Sequence, residues 1–197
     1  MRHFQEQNEL IRFSNEFITT RVDALKKDIA HCLCEPYAPF PAIVFCFSNI
    51  DLLGALCAGN ASRNAPTAKQ SSDYMRRFMH YTDEQATLLM TIFRHKIVHL
   101  AQPKAVSEYS GKKVAWRYWH DNAERHLKFT KLKEQAGLQL TSLWTVTADH
   151  EFEISIANLV KDIVVSVQEP GGYLHTLKTD EDLQDRFEKA LSEIYAA

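Results

Sequence analysis

The stretch Leu88-Leu89-Met90-Thr91-Ile92-Phe93-Arg94-His95-Lys96-Ile97-Val98-His99-Leu100 decides how this chain is read. Wound at about 100° per residue, Ala86, Leu89, Met90, Phe93, Ile97 and Leu100 share one arc, the pattern of a core-facing helix. Arg94, His95, Val98 and His99 share the opposite arc with Glu84, Thr87 and Thr91. The helix therefore carries a polar strip that faces either solvent or a cleft, formed against another element or a second subunit. Thr82, with Gln85 three residues later, has the capping-box pattern and opens the helix. Pro103 ends it.

Upstream, Leu10, Phe13, Phe17, Ile18, Val22, Leu25, Ile29 and Leu33 recur at three and four, predicting a helix over about Glu9–Cys34. Pro36, Pro39 and Pro41 stop it and turn the chain. A second helix over about Ala42–Ala58 is apolar nearly all round, which places it in the middle of a bundle. Its Gly54, Ala55 and Ala58 are small enough for a close crossing. Asn49 and Asp51 are its polar exceptions, and a carboxylate there needs a partner. Gly59 to Ser71 reads as a surface loop. Ser72 reads as the cap of a short third helix that buries Tyr74, Met75, Phe78 and Met79.

Downstream the character changes. Val114–Trp119, Leu138–Thr147 and Phe152–Ile156 are rich in aromatic and β-branched residues and read as strands. The last two, separated by Ala148-Asp149-His150, read as a hairpin. Ala123 to Gln135 reads as a loop or short helix. Ala157–Val167 is helical, and Thr179-x-x-Asp182 caps a final helix with Leu183, Phe187, Leu191 and Ile194 inside. The expectation is one mainly α domain over residues 1–197: a four-helix core (9–102), a small antiparallel β element (112–156) and closing helices (157–196).

Composition bounds the rest. With 197 residues and 45% apolar content, one sizeable core is expected. Between Arg63 and Glu134 there are 14 Lys/Arg against 7 Asp/Glu, a local +7; the remainder holds 9 against 18, or -9, which gives the total of -2. A basic middle suits an anionic ligand, although ordinary surface scatter gives the same count. Cys32, Cys34, Cys46 and Cys57 lack the paired spacing of a zinc site and read as reduced, mostly buried thiols. The N-terminus has no apolar h-region, and the longest apolar run, Ala42–Phe47, is too short for a membrane span. A cytoplasmic protein with no membrane partner is expected. Only six glycines and no glycine-rich phosphate loop argue against a nucleotide-binding α/β fold.

Arg94-x-x-x-x-His99, near the end of an amphipathic core helix and with a polar residue straight after the arginine, resembles the signature of the HEPN superfamily of α-helical bundles. The resemblance covers roughly residues 9–102. Phe93–Pro103 is also similar to a group of uncharacterised bacterial proteins with a helical bundle and added strands. Many HEPN proteins are metal-independent endoribonucleases whose two signature helices meet across a dimer cleft. The resemblance thus implies RNA as partner, a homodimer, and no cofactor or metal. It implies His99 as acid/base, Arg94 on phosphate and His95 assisting, with Lys96, Arg63 and Lys69 as further substrate-binding cations. The tyrosine that follows the histidine by two residues in one toxin subgroup is Ala101 here, so its regulation is not implied.

The residue chemistry agrees with such a role. A histidine titrates in the range needed to move the 2′-hydroxyl proton, and an arginine fork matches phosphate oxygens. His95 and His99, four apart, share a helix face and so also fit two ligands of a metal, with no third ligand evident. Trp116, Tyr118 and Trp119 around Arg117 read as two faces of one strand or as a stacking platform for single strands. The alternative to an RNA site is a non-catalytic interaction module that pairs with a second copy or another protein through the same strip. An open basic cleft at His99 favours the first. Arg94 buried against Asp51, with apolar contacts around Val98, favours the second.

Overall fold

The computed structural model describes residues 7–94, 106–141 and 144–195. Helix α1 (Gln7–Cys32) is followed by α2 (Pro39–Ala58), α3 (Thr67–Phe78) and α4 (Asp83–Leu88), which continues as a π-helical turn over Leu89–Arg94. Strands β1 (Ser107–Tyr109), β2 (Lys112–Trp119), β3 (Lys128–Thr141) and β4 (Trp144–Ser155) come next. Helices α5 (Ile156–Gln168), α6 (Tyr173–Leu177) and α7 (Glu181–Tyr195) close the chain. The protein is mainly helical with a small four-stranded mixed sheet.

Helix α2 is the hub. It packs on α1, α3, α5 and α7, and its Ala42, Ile43, Cys46, Phe47, Ile50, Leu53 and Leu56 are buried. An apolar surface on nearly every side is what such a position requires. Helix α2 is long and apolar enough to cross a membrane by length and composition alone, and more than half of it is buried inside this fold, as in the core helix of a bundle. At Gly54 the backbone of α3 comes so close that a Cβ would sit 2.8 Å from the carbonyl carbon of Gln70 and 2.9 Å from the amide nitrogen of Ser71. The close crossing expected at this glycine is present.

The capping box at Thr82 is complete: its hydroxyl accepts from the Gln85 N–H at 3.2 Å, and the Gln85 side chain accepts from the Thr82 N–H at 3.0 Å. Other boundaries move. Helix α3 begins at Thr67, so Ser72 lies inside it and the loop ends earlier than the polar composition indicated. Helix α7 is capped by Asp180, whose carboxylate accepts from the Leu183 N–H at 3.0 Å; Thr179 does not play that part. Ile194, expected inside, is 37% exposed.

The sheet corrects the expected antiparallel element. Its order is β1-β2-β4-β3, with β1 and β3 antiparallel to their neighbours and β2 parallel to β4, Trp116 opposite Phe152. Parallel neighbours need a long crossover, and β3 with its preceding 3₁₀ turn (Ala123–Arg125) supplies it. Ala148-Asp149-His150 is therefore no turn but the middle of β4. The hairpin reverses between Thr141 and Trp144, and β3 starts at Lys128, within the stretch read as loop. Phe152 and Ile154 are buried on the face toward the helices, and β4 runs directly into α5.

Candidate functional site

Asp51 and Arg94 are brought together. Asp51 stands on α2 one turn beyond Phe47; Arg94 ends the π-helical turn. The guanidinium donates from Nε to Asp51 Oδ2 at 3.1 Å, and its Nη2 lies 3.1 Å from the same oxygen. The other oxygen, Oδ1, accepts from Ser71 Oγ at 2.6 Å. The side chains are mostly buried, Arg94 14% and Asp51 20% exposed. Three helices converge here, because the Gly54 crossing brings the start of α3, and with it Ser71, against α2.

The π-helical turn changes the phase of the strip drawn at 100° per residue. Leu88 and Ile92 are buried along with Ala86, Leu89, Met90 and Phe93, so the core arc is wider than expected. Of the polar strip, Thr87 is exposed and Glu84, Thr91 and Arg94 are half-buried, while Asp83 in the first turn is exposed as well. Arg94 meets α2 rather than open solvent.

Of the other residues the sequence marked, His95, Lys96 and His99 lie outside the described residues. Arg63 is exposed on the loop before α3. Lys69 sits two residues before Ser71 on α3, about 200° round the helix, and its ammonium is 2.6 Å from Asp73. Neither belongs to the cluster around Arg94. Among the described residues no three His, Cys, Asp or Glu side chains form a metal-binding group.

A second polar cluster joins α5 to the start of β3. Tyr81 donates to Asp162 Oδ2 at 2.7 Å, and His126 Nε2 lies 3.0 Å from the same oxygen. The backbone N–H of Ser155 donates to His126 Nδ1 at 3.0 Å. That bond makes Nδ1 an acceptor and leaves the proton on Nε2, facing Asp162. Burial, then the nearby Asp162, pushes the Tyr81 phenol well above its ordinary range. With both ring nitrogens engaged, His126 works as a clamp. Nothing in the local sequence singled it out, since its partners are 36 and 29 residues away.

A third cluster lies on the sheet face away from Phe152 and Ile154. Glu153, 2% exposed, has both oxygens 3.4 Å from Arg125 Nη1. Glu151, two residues earlier, receives Arg117 Nη2 at 3.1 Å. Its carboxyl is pushed above the ordinary range by burial and by its hydrogen bond with Glu153, against the pull of Arg117.

No protein-family model, no curated protein and no solved structure matches the chain. The geometry around Arg94 therefore carries the functional reading.

Proposed function

We propose that the chain is a HEPN-like, RNA-binding helical protein that cleaves RNA without a metal at a cleft shared by two copies. In this reading Arg94 engages phosphate, His99 moves the proton and His95 assists. The observation that carries it is the one-sided hold on Arg94. A guanidinium has five N–H donors; Asp51 accepts that of Nε and lies 3.1 Å from Nη2, and no other described residue is recorded as a partner of the guanidinium. Buried polar groups are normally satisfied, so a mostly covered arginine held from one side is suited to a phosphate on the other. Asp51, fixed by Ser71, would orient the fork rather than consume it.

A second reading has its own observation. Arg94 lies mostly buried against Asp51, the arrangement that favours a non-catalytic module pairing through this strip with a second copy or another protein; Val98, the other half of that criterion, lies outside the described residues.

Incubation of mixed single-stranded RNA with the purified protein in EDTA separates the two. The proposal expects cleavage in wild type and none in Arg94→Ala or His99→Ala, both checked for unchanged circular dichroism and oligomeric state. Folded wild-type protein that neither binds nor cleaves RNA would leave the interaction module. Equal cleavage by all three proteins would mean a contaminating nuclease and a wrong site.

A further inference from the structure

Strand β2 carries a ladder of rings on the face toward the helices. Phe93, the residue before Arg94, meets Trp116 edge-on at 5.7 Å between centroids. Trp116 and Tyr118 lie near-parallel at 6.3 Å, as do Tyr118 and His120 at 6.3 Å. Phe40, at the start of α2, meets Tyr118 at 6.0 Å, and Tyr37, from the preceding turn, lies 4.2 Å from His120. The ladder runs from the core outward: Phe93 is buried, Trp116, Tyr118 and His120 are half-buried, and Tyr37 is 51% exposed.

Three features make this more than the packing of a turn on a strand. Tyr118 and His120 are only half-buried and Tyr37 is 51% exposed, so this end of the ladder reaches solvent. Strand β1 pairs with β2 only over Lys112–Val114, so among the described residues Ala115–Trp119 has no strand on that side. The inner end of the ladder touches the residue beside Arg94, and it lies within the segment of local charge +7. Flat apolar faces in a row, next to a cation, match the bases and phosphates of a single strand.

We propose that Tyr37, Tyr118 and His120 form a base-stacking subsite that leads single-stranded RNA along β2 toward Arg94. The inference rests on the RNA reading above and names how that RNA is held. Stacking reads ring faces, so the subsite tolerates any base, and its affinity comes from the bases while that of Arg94 comes from phosphate.

The test is fluorescence anisotropy with two labelled oligomers of equal length, oligouridine and its abasic counterpart. Wild type should bind the oligouridine more tightly, by about tenfold for each base stacked. Tyr37→Ala, at an exposed position that leaves the fold intact, should lose about that factor for oligouridine and nothing for the abasic strand. Tyr37→Phe keeps the ring and should retain wild-type affinity, and Tyr118→Ala should add to the loss. Equal wild-type affinity for both oligomers would overturn the subsite while leaving RNA binding through phosphate intact. Failure to bind either oligomer would overturn the subsite and the RNA reading together, as would capture of a proline-rich peptide at the ladder in place of RNA.

Discussion

Two carboxylates taken largely out of water, Asp51 between helices and Glu153 on the sheet, are each held by one arginine, yet their surroundings differ in kind. Asp51 has Arg94 on one oxygen at 3.1 Å and Ser71 on the other at 2.6 Å. Among the described residues, no hydrogen bond joins it to a second carboxyl. Glu153 is held more loosely, at 3.4 Å, by an arginine that is itself half exposed, but it has Glu151 next to it on the same strand face. A carboxyl pair can take up one proton when a cation is lost, and an isolated carboxylate cannot. The helix site is therefore a rigid device that depends on its partner, and the sheet site is an adaptable one.

The largest effect expected from this difference is at Arg94. Arg94→Met leaves Asp51 covered and unpaired, and should lower unfolding free energy by about 2 kcal/mol or more in urea denaturation, somewhat under the cost for a fully buried pair. Arg125→Met should cost less than about 1 kcal/mol, because its guanidinium is solvated and Glu153 can turn to the proton of Glu151. Equal losses in the two variants would break the comparison.

Next is the crossing that places Ser71. Gly54→Ala puts a methyl against the backbone of Gln70 and Ser71, at 2.8 and 2.9 Å, which no rotamer can relieve. Overpacking of this kind costs about 1–3 kcal/mol. Since the displaced residue holds Asp51, the Gly54→Ala and Arg94→Met losses should fall short of adding in the double variant. Additive losses would mean that the crossing and the ion pair are independent.

How much of this the sequence carried depends on how local each cause is. The capping box at Thr82 and Gln85, the small residue at Gly54 and the need of Asp51 for a partner are properties of single positions or short spacings, and all were legible. So was α2 as the hub, because an all-round apolar helix has nowhere else to go. What failed was set by distant chain. The pairing of β2 with β4, Trp116 opposite Phe152, joins strands far apart in the chain, and the polar residues at Ala148–His150, which read as a turn, lie half-buried in the middle of β4. Ser71 carries no signal of its own because the polar run Gly59–Ser71 reads as loop, and only the α3 start at Thr67 puts it on a helix facing Asp51. His126 and Asp162 have no periodic or motif signature at all. The π-helical turn before Arg94 leaves no mark that a 100° projection can register, because that projection assumes one unbroken α-helical phase.

The smallest expected effect sharpens the adaptable half of the comparison. Burial and the Glu153 hydrogen bond raise the folded-state value of Glu151 above its unfolded one, so the native protein holds a proton that the unfolded chain has already released. Its contribution is complete below the ordinary glutamate range, about pH 4, and is lost as pH rises through the raised folded value. Wild-type stability should therefore decline over that window, while Glu151→Gln, which keeps a hydrogen-bonding side chain and removes the titration, should decline less. Urea unfolding across the window for both proteins reads the difference directly. A wild-type profile that rises with pH there, or a variant that tracks wild type, would show that Glu151 and Glu153 hold no shared proton. Glu153 would then depend on Arg125 as strictly as Asp51 depends on Arg94.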